Sequence, residues 1–519
     1  MRVPYRALAL AIVVAGAGRS AAAQEPFPGL DAYVAKAVQQ WKVPGLSVAI
    51  VRNDSVLYTK GFGVLAVGST TPVNDQTLFE IGSSSKAFTA TLVAMMVSDG
   101  KMRWDDHVTD YLPGLKLYDP IANAELTIRD ALTHRSGLAR GELLWLGSGF
   151  SRDEVLHHLR FLKPETPFRS HYSYQNMMFL AAGEAAGKAG GSSWDELVKQ
   201  RIFAPLGMTS TVTSFKAIAT PNATTPHSSQ RDSVYTLGPF NDQNIGPAGS
   251  IRSNARDMAQ WLRFQLGDGT YNGKRLVSTA ALREIHTPQI LVGGSGRGGA
   301  ADSTPPTSYF STYGMGWFIE DYRHQLVWQH GGNTEGMTAA VGMMPEQKFG
   351  VVVLSNMASA QLPGLIMRYI FDRQMGAPMR DLAGEAYARV ATQRRRADSV
   401  SAAQTAQQGK TAKEAPLALT SYVGTYVDSL YGEAVVSIEN GHLFLKRGLW
   451  QGPLEFANTN NFRWTILAGA PSGVSPMTIK FDVAGDGRVT GLYFGLASDV
   501  SLLTRKEQGG GRGRGRGGL

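Results

Sequence analysis

The 519-residue sequence contains no cysteine, which excludes disulfide bonds and thiolate metal sites. With 43% hydrophobic residues, a chain of this size can bury enough apolar surface without cross-links. It also lacks His-Glu-x-x-His, a phosphate-binding glycine loop and Gly-x-Ser-x-Gly, the signatures of zinc peptidases, nucleotide-binding enzymes and α/β-hydrolases. His157 and His158 are adjacent on a predicted helix and point apart, so they do not indicate a metal site. We therefore expect neither a metal nor an organic cofactor.

No apolar run is long enough to cross a bilayer. The stretch from Ala7 to Ala17 is too short, and it follows Arg2 and Arg6 and precedes an Ala-x-Ala site that ends at Ala23. This pattern predicts a secretory signal peptide over residues 1–23. We therefore expect an exported, soluble protein, periplasmic or extracellular, without an integral membrane span.

A large excess of charge of one sign is also absent from the part expected to fold. The formal net charge is +9, and loss of the three arginines of the signal peptide would leave +6. Three more positive charges, Arg512, Arg514 and Arg516, belong to a predicted disordered Arg-Gly tail over residues 507–519. The remaining charge of about +3 is too small to indicate a nucleic-acid partner.

The stretch "IGSSSKAFTA", from Ile81 to Ala90, begins a predicted helix. Phe88, Leu92 and Met96 repeat at helical spacing, and apolar residues on the other side indicate that the helix is buried. One of the serines could simply cap this helix. Capping does not explain Lys86, because desolvating a charge in the first turn of a buried helix is costly.

Ser83 and Lys86 form Ser-x-x-Lys, which places a hydroxyl group and an amine one helical turn apart. A neutral lysine at that distance could activate the serine as a nucleophile. The motif is short enough to match by chance. A second copy, from Ser98 to Lys101, falls at the helix end, where Gly100 breaks the geometry, so Ser83 is the predicted nucleophile.

Two further short motifs follow along the chain. Tyr174 and Asn176 form the only Tyr-x-Asn, and His330 and Gly332 form the only His-x-Gly. Alone, the first pair is as well explained by a turn and a core residue, and the histidine by an ordinary position in a sheet. The order of these motifs after Ser-x-x-Lys favours a catalytic interpretation.

This order of motifs resembles the serine β-lactamase and penicillin-binding protein family, most closely its class C and DD-peptidase branch. The stretches "VPGLSVAIV", "LTHRSGL" and "GVVVLSN" are also similar to that family, and the resemblance covers about residues 27–372. It implies an α+β fold over residues 24–375, in which an antiparallel sheet is flanked by helices and carries an all-helical lobe.

The resemblance also implies roles for the motif residues. Ser83 would attack a carbonyl carbon and form an acyl-enzyme. Lys86 and Tyr174 would handle protons, with the tyrosine able to act as a phenolate if nearby cations lower its pKa. Asn176 would orient the lysine and bind the amide of the substrate.

Substrate binding is assigned to the strand that carries the His-x-Gly motif. The backbone amides of Ser83 and Asn333 would stabilise the oxyanion, and Gly331 and Gly332 would let the substrate approach closely. Class C β-lactamases carry lysine where this chain has His330, whereas some DD-peptidases, D-aminopeptidases and esterases carry histidine. We also expect any preference for carboxylate substrates to fade as pH rises through the imidazole titration.

The region that carries these motifs is predicted to contain several antiparallel strands. They are the hairpin strands Leu46 to Val51 and Val56 to Gly61, followed by Tyr313 to Ile319, Gln325 to His330, Met337 to Met344 and Gly350 to Leu354. A segment rich in glycine, proline and serine, Gly293 to Ser308, predicts a loop that borders the site.

A polar, alanine-rich stretch predicts a helical connector over residues 376–415. Short alternating runs follow, with the turn dipeptides Asn440-Gly441 and Asp486-Gly487 between them. They predict a small antiparallel barrel over residues 416–506, which resembles the lipocalin-like domain of some penicillin-recognising peptidases. Because the connector carries few apolar residues, we expect the catalytic domain to fold without the barrel.

The predicted activity is hydrolysis of an amide or ester bond in a small molecule or short peptide, including a peptidoglycan-derived ligand. Two alternatives stay open: a β-lactamase proper, and a non-catalytic protein that binds cell-wall fragments. The presence of Lys86 and Tyr174 argues against a protein that only binds its ligand, which would not need them. The histidine of the third motif favours a peptidase or esterase over an enzyme that hydrolyses antibiotics.

Overall fold

A computed structural model describes residues 25–230, 233–239, 241–292, 308–408, 415–467, 476–496 and 499–506. The predicted signal peptide and Arg-Gly tail lie outside the described residues, and so does most of the predicted loop from Gly293 to Ser308. Within the described ranges, no helix is both long and apolar enough to span a bilayer.

The centre of the N-terminal region is an eight-stranded antiparallel sheet. Its strands are β1 Gly45–Arg52, β2 Ser55–Gly63, β9 Ile290–Leu291, β10 Ser311–Tyr313, β11 Phe318–Tyr322, β12 Gln325–Asn333, β13 Thr338–Met344 and β14 Phe349–Ser355. They are ordered β2-β1-β14-β13-β12-β11-β10-β9. Short strands pair outside this sheet: β3 Phe79–Glu80 with β6 Arg252–Ser253, β4 His227–Gln230 with β5 Ser233–Thr236, and β7 Thr270–Tyr271 with β8 Lys274–Arg275.

Both faces of the sheet are covered, because its central strands are apolar on both sides. In β1, Val48 and Ile50 belong to one buried cluster, whereas Ala49 and Val51 belong to another. Successive side chains of a strand point to opposite faces, so the sheet separates two apolar layers. This arrangement confirms the predicted α+β architecture.

Helices from the two ends of this region form one layer, and the helical lobe with the helix after Ser83 forms the other. The first layer contains α1 Leu30–Gln40 and α13 Leu362–Gln374. The second contains α2 Ser85–Ser98, α3 Val108–Tyr111, α4 Pro120–Glu125, α5 Ile128–Leu132, α6 Arg152–His158, α7 Asn176–Gly190, α8 Trp194–Val198, α9 Ala204–Leu206, α10 Gly246–Gly249, α11 Ala255–Leu266 and α12 Thr279–Ile285. As predicted, α2 is buried along most of its length.

One predicted strand is wrong. Residues 313–319 form the end of β10, a turn and the start of β11. Gly316 reverses the chain there with a φ of 76°, and a Cβ at this position would lie 2.8 Å from the carbonyl oxygen of Lys86. The turn therefore packs against the first turn of α2, a tertiary contact that the alternating pattern does not encode.

The predicted barrel is confirmed as a closed antiparallel barrel. Helix α14 Leu382–Gln408 leads to it, and its strands are β15 Gly424–Asp428, β16 Gly432–Glu439, β17 His442–Arg447, β18 Trp450–Asn458, β19 Asn461–Trp464, β20 Met477–Val483, β21 Val489–Leu496 and β22 Asp499–Arg505. Asn440 and Gly441 adopt φ values of 52° and 82°. Two positive values are typical of the tight turn that joins a two-residue hairpin, here between β16 and β17.

A buried arginine ties the barrel to the helical lobe. Arg447, at the end of β17, donates to the carbonyl oxygens of Leu143 at 2.7 Å and Leu146 at 3.2 Å, and to that of Tyr431 within the barrel at 3.1 Å. Burial lowers the pKa of Arg447 to about 10, so the guanidinium stays charged at neutral pH. The barrel therefore contacts the lobe segment through a charged, fully buried donor.

Apolar contacts extend this interface. The Gly147 carbonyl accepts from Leu449 N–H at 2.8 Å, and a Cβ at Gly147 would lie 2.2 Å from the Trp450 ring. One apolar cluster includes Leu143 of the lobe together with Trp450 and Phe494 of the barrel. Independent folding of residues 24–375 stays a prediction, and this shared cluster weighs against it.

We expect Arg447→Met to lower the free energy of unfolding by about 3 kcal/mol, because buried carbonyl groups of two domains lose a charged donor. Arg505→Met is the matched control, since Arg505 donates to Ser421 O at 3.1 Å and Val489 O at 3.3 Å, both in the barrel domain. Chemical denaturation measures both changes. Limited proteolysis should cut the connector faster in Arg447→Met alone, and equal cutting in the two variants would contradict the proposed tie between domains.

Candidate active site

Ser83 and Ser84 of the IGSSSKAFTA stretch lie in a 3₁₀ turn, and Ser85 begins α2. Ser84 Oγ donates to the carbonyl oxygen of His330 at 3.1 Å, and Ser85 Oγ accepts from the backbone N–H of Ile251 at 3.1 Å. The N-cap residue of α2 is Ser84, and within the described residues its side chain makes no hydrogen bond to the backbone N–H groups of the first helical turn. The capping interpretation is therefore wrong, and Ser83 is the serine that lines the cleft.

Lys86 is buried in the first turn of α2 and contacts three oxygen atoms. Its Nζ lies 3.0 Å from Ser83 Oγ, 2.7 Å from Asn176 Oδ1 and 2.9 Å from the carbonyl oxygen of Ala248. Asn176 begins α7 and Ala248 belongs to α10. The structure thus brings the first two motifs together at one amine.

Burial lowers the pKa of Lys86 well below its usual range, and the positive charge of Arg140 lowers it further, whereas Glu142 opposes the shift. A neutral amine has two N–H groups and one lone pair. The amide oxygen on α7 and the carbonyl group of α10 accept the two N–H groups. The lone pair is left to accept the Ser83 hydroxyl proton, which suits a general base.

Tyr174 contacts the same serine from the other motif. Its hydroxyl group donates to Ser83 Oγ at 2.7 Å, and the Arg140 guanidinium lies 4.8 Å from its ring centroid. Burial raises the pKa of Tyr174 above its usual value, and this outweighs the lowering effects of the serine hydrogen bond and the arginine. The phenolate interpretation is therefore wrong, and Tyr174 is a neutral phenol that can donate a proton.

Two residues outside the predicted motifs, Arg140 and Glu142, also line the cleft. Glu142 Oε1 accepts from Asn176 Nδ2 at 3.3 Å and from Arg140 Nη2 at 2.8 Å. The carboxylate thereby holds the amide so that its oxygen faces Lys86. Both residues lie in "LARGELLWLG", which begins at the last residue of the LTHRSGL stretch and in which two opposite charges interrupt an apolar run. That interruption was the available signal.

Two glycines bring the serine turn and β12 into contact. A Cβ at Gly332 would lie 1.8 Å from the carbonyl oxygen of Ile81, and a Cβ at Gly82 would lie 2.8 Å from the amide nitrogen of Asn333. Gly332 therefore makes room for the serine turn. Its predicted role in letting substrate approach closely stays a prediction. The close contact places Ser83 and Asn333 at the same cleft, as the oxyanion prediction requires.

His330 is buried, and both of its ring nitrogens are bonded within the protein. Nδ1 lies 2.6 Å from the Gly331 carbonyl oxygen, which only accepts, so Nδ1 carries the proton and Nε2 accepts from Tyr313 OH at 3.1 Å. Burial lowers the pKa of His330 to about 3, and a proton on Lys86 would lower it further. The predicted titration near neutral pH is therefore wrong.

These residues surround a cleft of about 390 Å³, at the small end of the range for ligand pockets. Gly331 lines it on β12. The remaining lining residues are Gly82, Arg140, Glu142, Trp145, Asp242, Ile245, Ala248, Gly249, Phe318 and Thr334. Because the cleft is small and polar at its base, it fits a single reacting group together with its immediate neighbours.

Two family models match this chain. One, described as Beta-lactamase, matches residues 30–368, and the other, described as a domain of unknown function (DUF3471), matches residues 408–509. The first covers the central sheet, the lobe and every residue of the cleft. The second covers the barrel.

Among curated proteins, unguisins hydrolase ungD of Aspergillus violaceofuscus is 28% identical over 378 residues, which span 67% of this chain and 65% of that protein. Penicillin-binding protein 4 of Amycolatopsis lactamdurans is 27% identical over 324 residues, which span 60% of this chain and 81% of that protein. This chain therefore spans slightly less than two thirds of the first relative.

Among solved structures, the octameric penicillin-binding protein homologue from Pyrococcus abyssi has a TM-score of 0.61 at 21% identity. The likeness covers 92% of this chain and 99% of that chain, so it includes the barrel as well as the sheet. The family match over residues 30–368 agrees with the sheet, lobe and serine turn seen here. The chain belongs to the beta-lactamase family.

Proposed function

We propose that the protein hydrolyses an amide or ester bond through an acyl-enzyme on Ser83. The observation that carries this proposal is the buried Lys86, whose Nζ lies 3.0 Å from Ser83 Oγ. Burying a lysine this deeply costs free energy that a purely structural turn does not require. A protein that only bound its ligand would need neither this amine nor the phenol that also contacts the serine.

In acylation, the Ser83 hydroxyl proton passes to Lys86 Nζ while Oγ bonds to the substrate carbonyl carbon. The carbonyl π electrons move to oxygen, and the amides of Ser83 and Asn333 donate to this oxyanion. Its collapse breaks the bond to the leaving nitrogen or oxygen, which takes the proton of Tyr174. The proton on Lys86 then passes to the Tyr174 phenolate, so both groups are neutral again before deacylation.

In deacylation, water adds to the acyl carbonyl carbon and gives its proton to neutral Lys86. The same amides stabilise the second oxyanion. When the acid product leaves, Ser83 Oγ regains a proton from the lysine, and the resting state is restored. The proton transfers of the cycle use Ser83 and Tyr174, which line the cleft, and the buried Lys86 behind them.

The proposed substrates are small amides, esters and short peptides. The cleft offers no permanent cation from β12, because His330 is neutral, and the charge of Arg140 is balanced by Glu142. The name of one relative, a hydrolase, supports hydrolysis as the reaction, and the name of another, a penicillin-binding protein, supports a small ligand at the cleft. Because a signal peptide is predicted, we propose that the reaction takes place outside the cytoplasm. Fragments of peptidoglycan are available there.

A substrate panel on the purified protein tests this proposal. p-Nitrophenyl esters and D-amino-acid amides should be turned over, and a fluorophosphonate should label one serine, located to Ser83 by mass spectrometry. Nitrocefin is included because a β-lactam is a cyclic amide. If the protein shows no turnover and no labelling, the result would favour a non-catalytic binding protein.

Substrates that differ only in a free carboxylate should show parallel profiles of kcat/KM against pH from about pH 5 to pH 8. The reason is that the pKa of His330, about 3, lies below this window, so its charge does not change there. His330→Asn should leave the shape of both profiles unchanged. If the two kcat/KM profiles diverged in wild type and became parallel in His330→Asn, His330 would titrate in this pH range and interact with the carboxylate of the substrate.

A further inference from the structure

A second cavity lies between the helical lobe and the barrel, next to the catalytic cleft. Its volume is about 770 Å³, compared with about 390 Å³ for the cleft. Arg140 and Glu142 line both spaces, so this ion pair forms the boundary between them. A ligand in the cleft that extends past the ion pair enters the second cavity.

The walls of this cavity are held in place by hydrogen bonds between the domains. His158 Nδ1–H donates to the carbonyl oxygens of Ser429 and Leu430 at 2.9 Å each, and Leu430 lines the cavity. On the barrel side, Ser501 Oγ donates to Asp428 Oδ2 at 2.8 Å. The buried Arg447 ties the same two domains together. The cavity is therefore built between fixed segments.

The chemistry of the lining is mixed. Arg140, Arg160 and Lys163 supply three cations, and Glu142, Glu165 and Asp428 supply three anions. Equal numbers of the two charges do not favour a polyanion, and charged groups on both walls do not favour an acyl chain.

Large apolar side chains stand between these charges. Tyr118, Phe161 and Val500 line the cavity and are 52%, 38% and 53% exposed, respectively. Apolar side chains interspersed with hydrogen-bonding and ionic groups match the surface of a peptide.

We propose that this cavity, together with the Arg140–Glu142 boundary, is the subsite for the distal residues of a peptide substrate whose scissile bond lies at Ser83. The inference rests on the proposed function and adds its substrate class, a peptide longer than the cleft alone can hold. Binding energy from such remote residues can raise kcat/KM without a change at the reacting group. Activity should therefore increase with peptide length.

Val500→Arg tests this, because the larger side chain would occupy the cavity from an exposed position of β22, where folding tolerates it. Val435→Arg is the matched control: Val435 is 36% exposed on the outer face of β16 and does not line the described cavity. Two series of chromogenic peptides, extended from one to five residues on either side of the scissile bond, report kcat/KM for each protein.

In wild type, at least one series should gain roughly tenfold or more in kcat/KM with length. Val500→Arg should lose this gain, while its one-residue activity and its fluorophosphonate labelling stay unchanged and Val435→Arg behaves as wild type. The inference would be overturned if kcat/KM depended on peptide length equally in Val500→Arg and wild type, or if it did not depend on length in either protein. In both cases, turnover of the one-residue substrate would leave the proposed function standing. Absence of both labelling and turnover would refute the proposed function and this inference with it.

Discussion

Ser83→Ala should abolish turnover and covalent labelling while the protein stays folded. In one serine protease, removing the nucleophile alone costs on the order of 10⁶ in kcat, about as much as removing the whole catalytic group. Ser83 Oγ contacts Lys86 and Tyr174 in the cleft, so losing it should change the free energy of unfolding by about 1 kcal/mol or less. Steady-state kinetics, labelling and thermal unfolding measure the three effects.

Three other serines are matched controls for this substitution. Ser84 and Ser85 bond to backbone groups of β12 and of the chain before β6, so alanine at either should cost about 1 kcal/mol of stability but leave labelling intact. Ser98, at the end of α2, accepts from a backbone N–H at 3.0 Å, and Ser98→Ala should leave labelling unchanged. If Ser84→Ala or Ser85→Ala removed labelling, the assignment of the nucleophile to Ser83 would be wrong.

The parts of the site that could be predicted from the sequence are those whose residues lie in one local element. Ser83 and Lys86 are adjacent on a helical turn, so helix geometry alone brings their side chains together. Tyr174 and Asn176 flank the start of α7 in the same way. The barrel is also local in sequence, because its hairpins carry their own turn signals, as at Asn440-Gly441.

The properties that could not be predicted depend on packing between distant segments. The chain turn at Gly316 exists because β11 must pass the first turn of α2. The pKa values of Tyr174 and His330 are shifted by burial, which is set when the lobe closes on the sheet. Short motifs resemble a family without stating how deeply their side chains are buried, so neither the raised pKa of Tyr174 nor the lowered pKa of His330 could be predicted from them.

The barrel is also connected to the candidate active site through a series of contacts. Arg447 holds the segment that contains Glu142, and Glu142 orients the amide of Asn176, whose oxygen accepts from Lys86. A chain of contacts therefore runs from the barrel to the amine of Lys86. The domain of unknown function is thus part of the surroundings of the site, although no residue of it lines the cleft in the described part of the chain.

Lys86→Met should lower kcat/KM by on the order of 10³, the usual contribution of a general base. Methionine fills the buried space but cannot take the Ser83 proton. In wild type, kcat/KM should fall as pH decreases through the lowered pKa of Lys86, because the protonated amine has no lone pair for the serine. The variant should lose this acid limb, and a profile of kcat/KM against pH for both proteins measures it. An acid limb of the same shape in Lys86→Met would assign the base to another residue.

The same substitution should have the opposite effect on stability. In the unfolded chain a lysine has a pKa of about 10.4, whereas burial lowers the pKa of Lys86 in the folded protein. Between these two values the unfolded chain binds more protons, so wild-type stability rises with pH through that window.

Methionine carries no such cost, so Lys86→Met should unfold at a higher temperature than wild type at neutral pH, and the difference should shrink as pH rises towards about 10. Thermal unfolding of both proteins at several pH values in this window tests the sign. A variant that is less stable than wild type by the same amount at every pH would show that Lys86 is not held neutral by burial, and that the amine needs another route to act as a base.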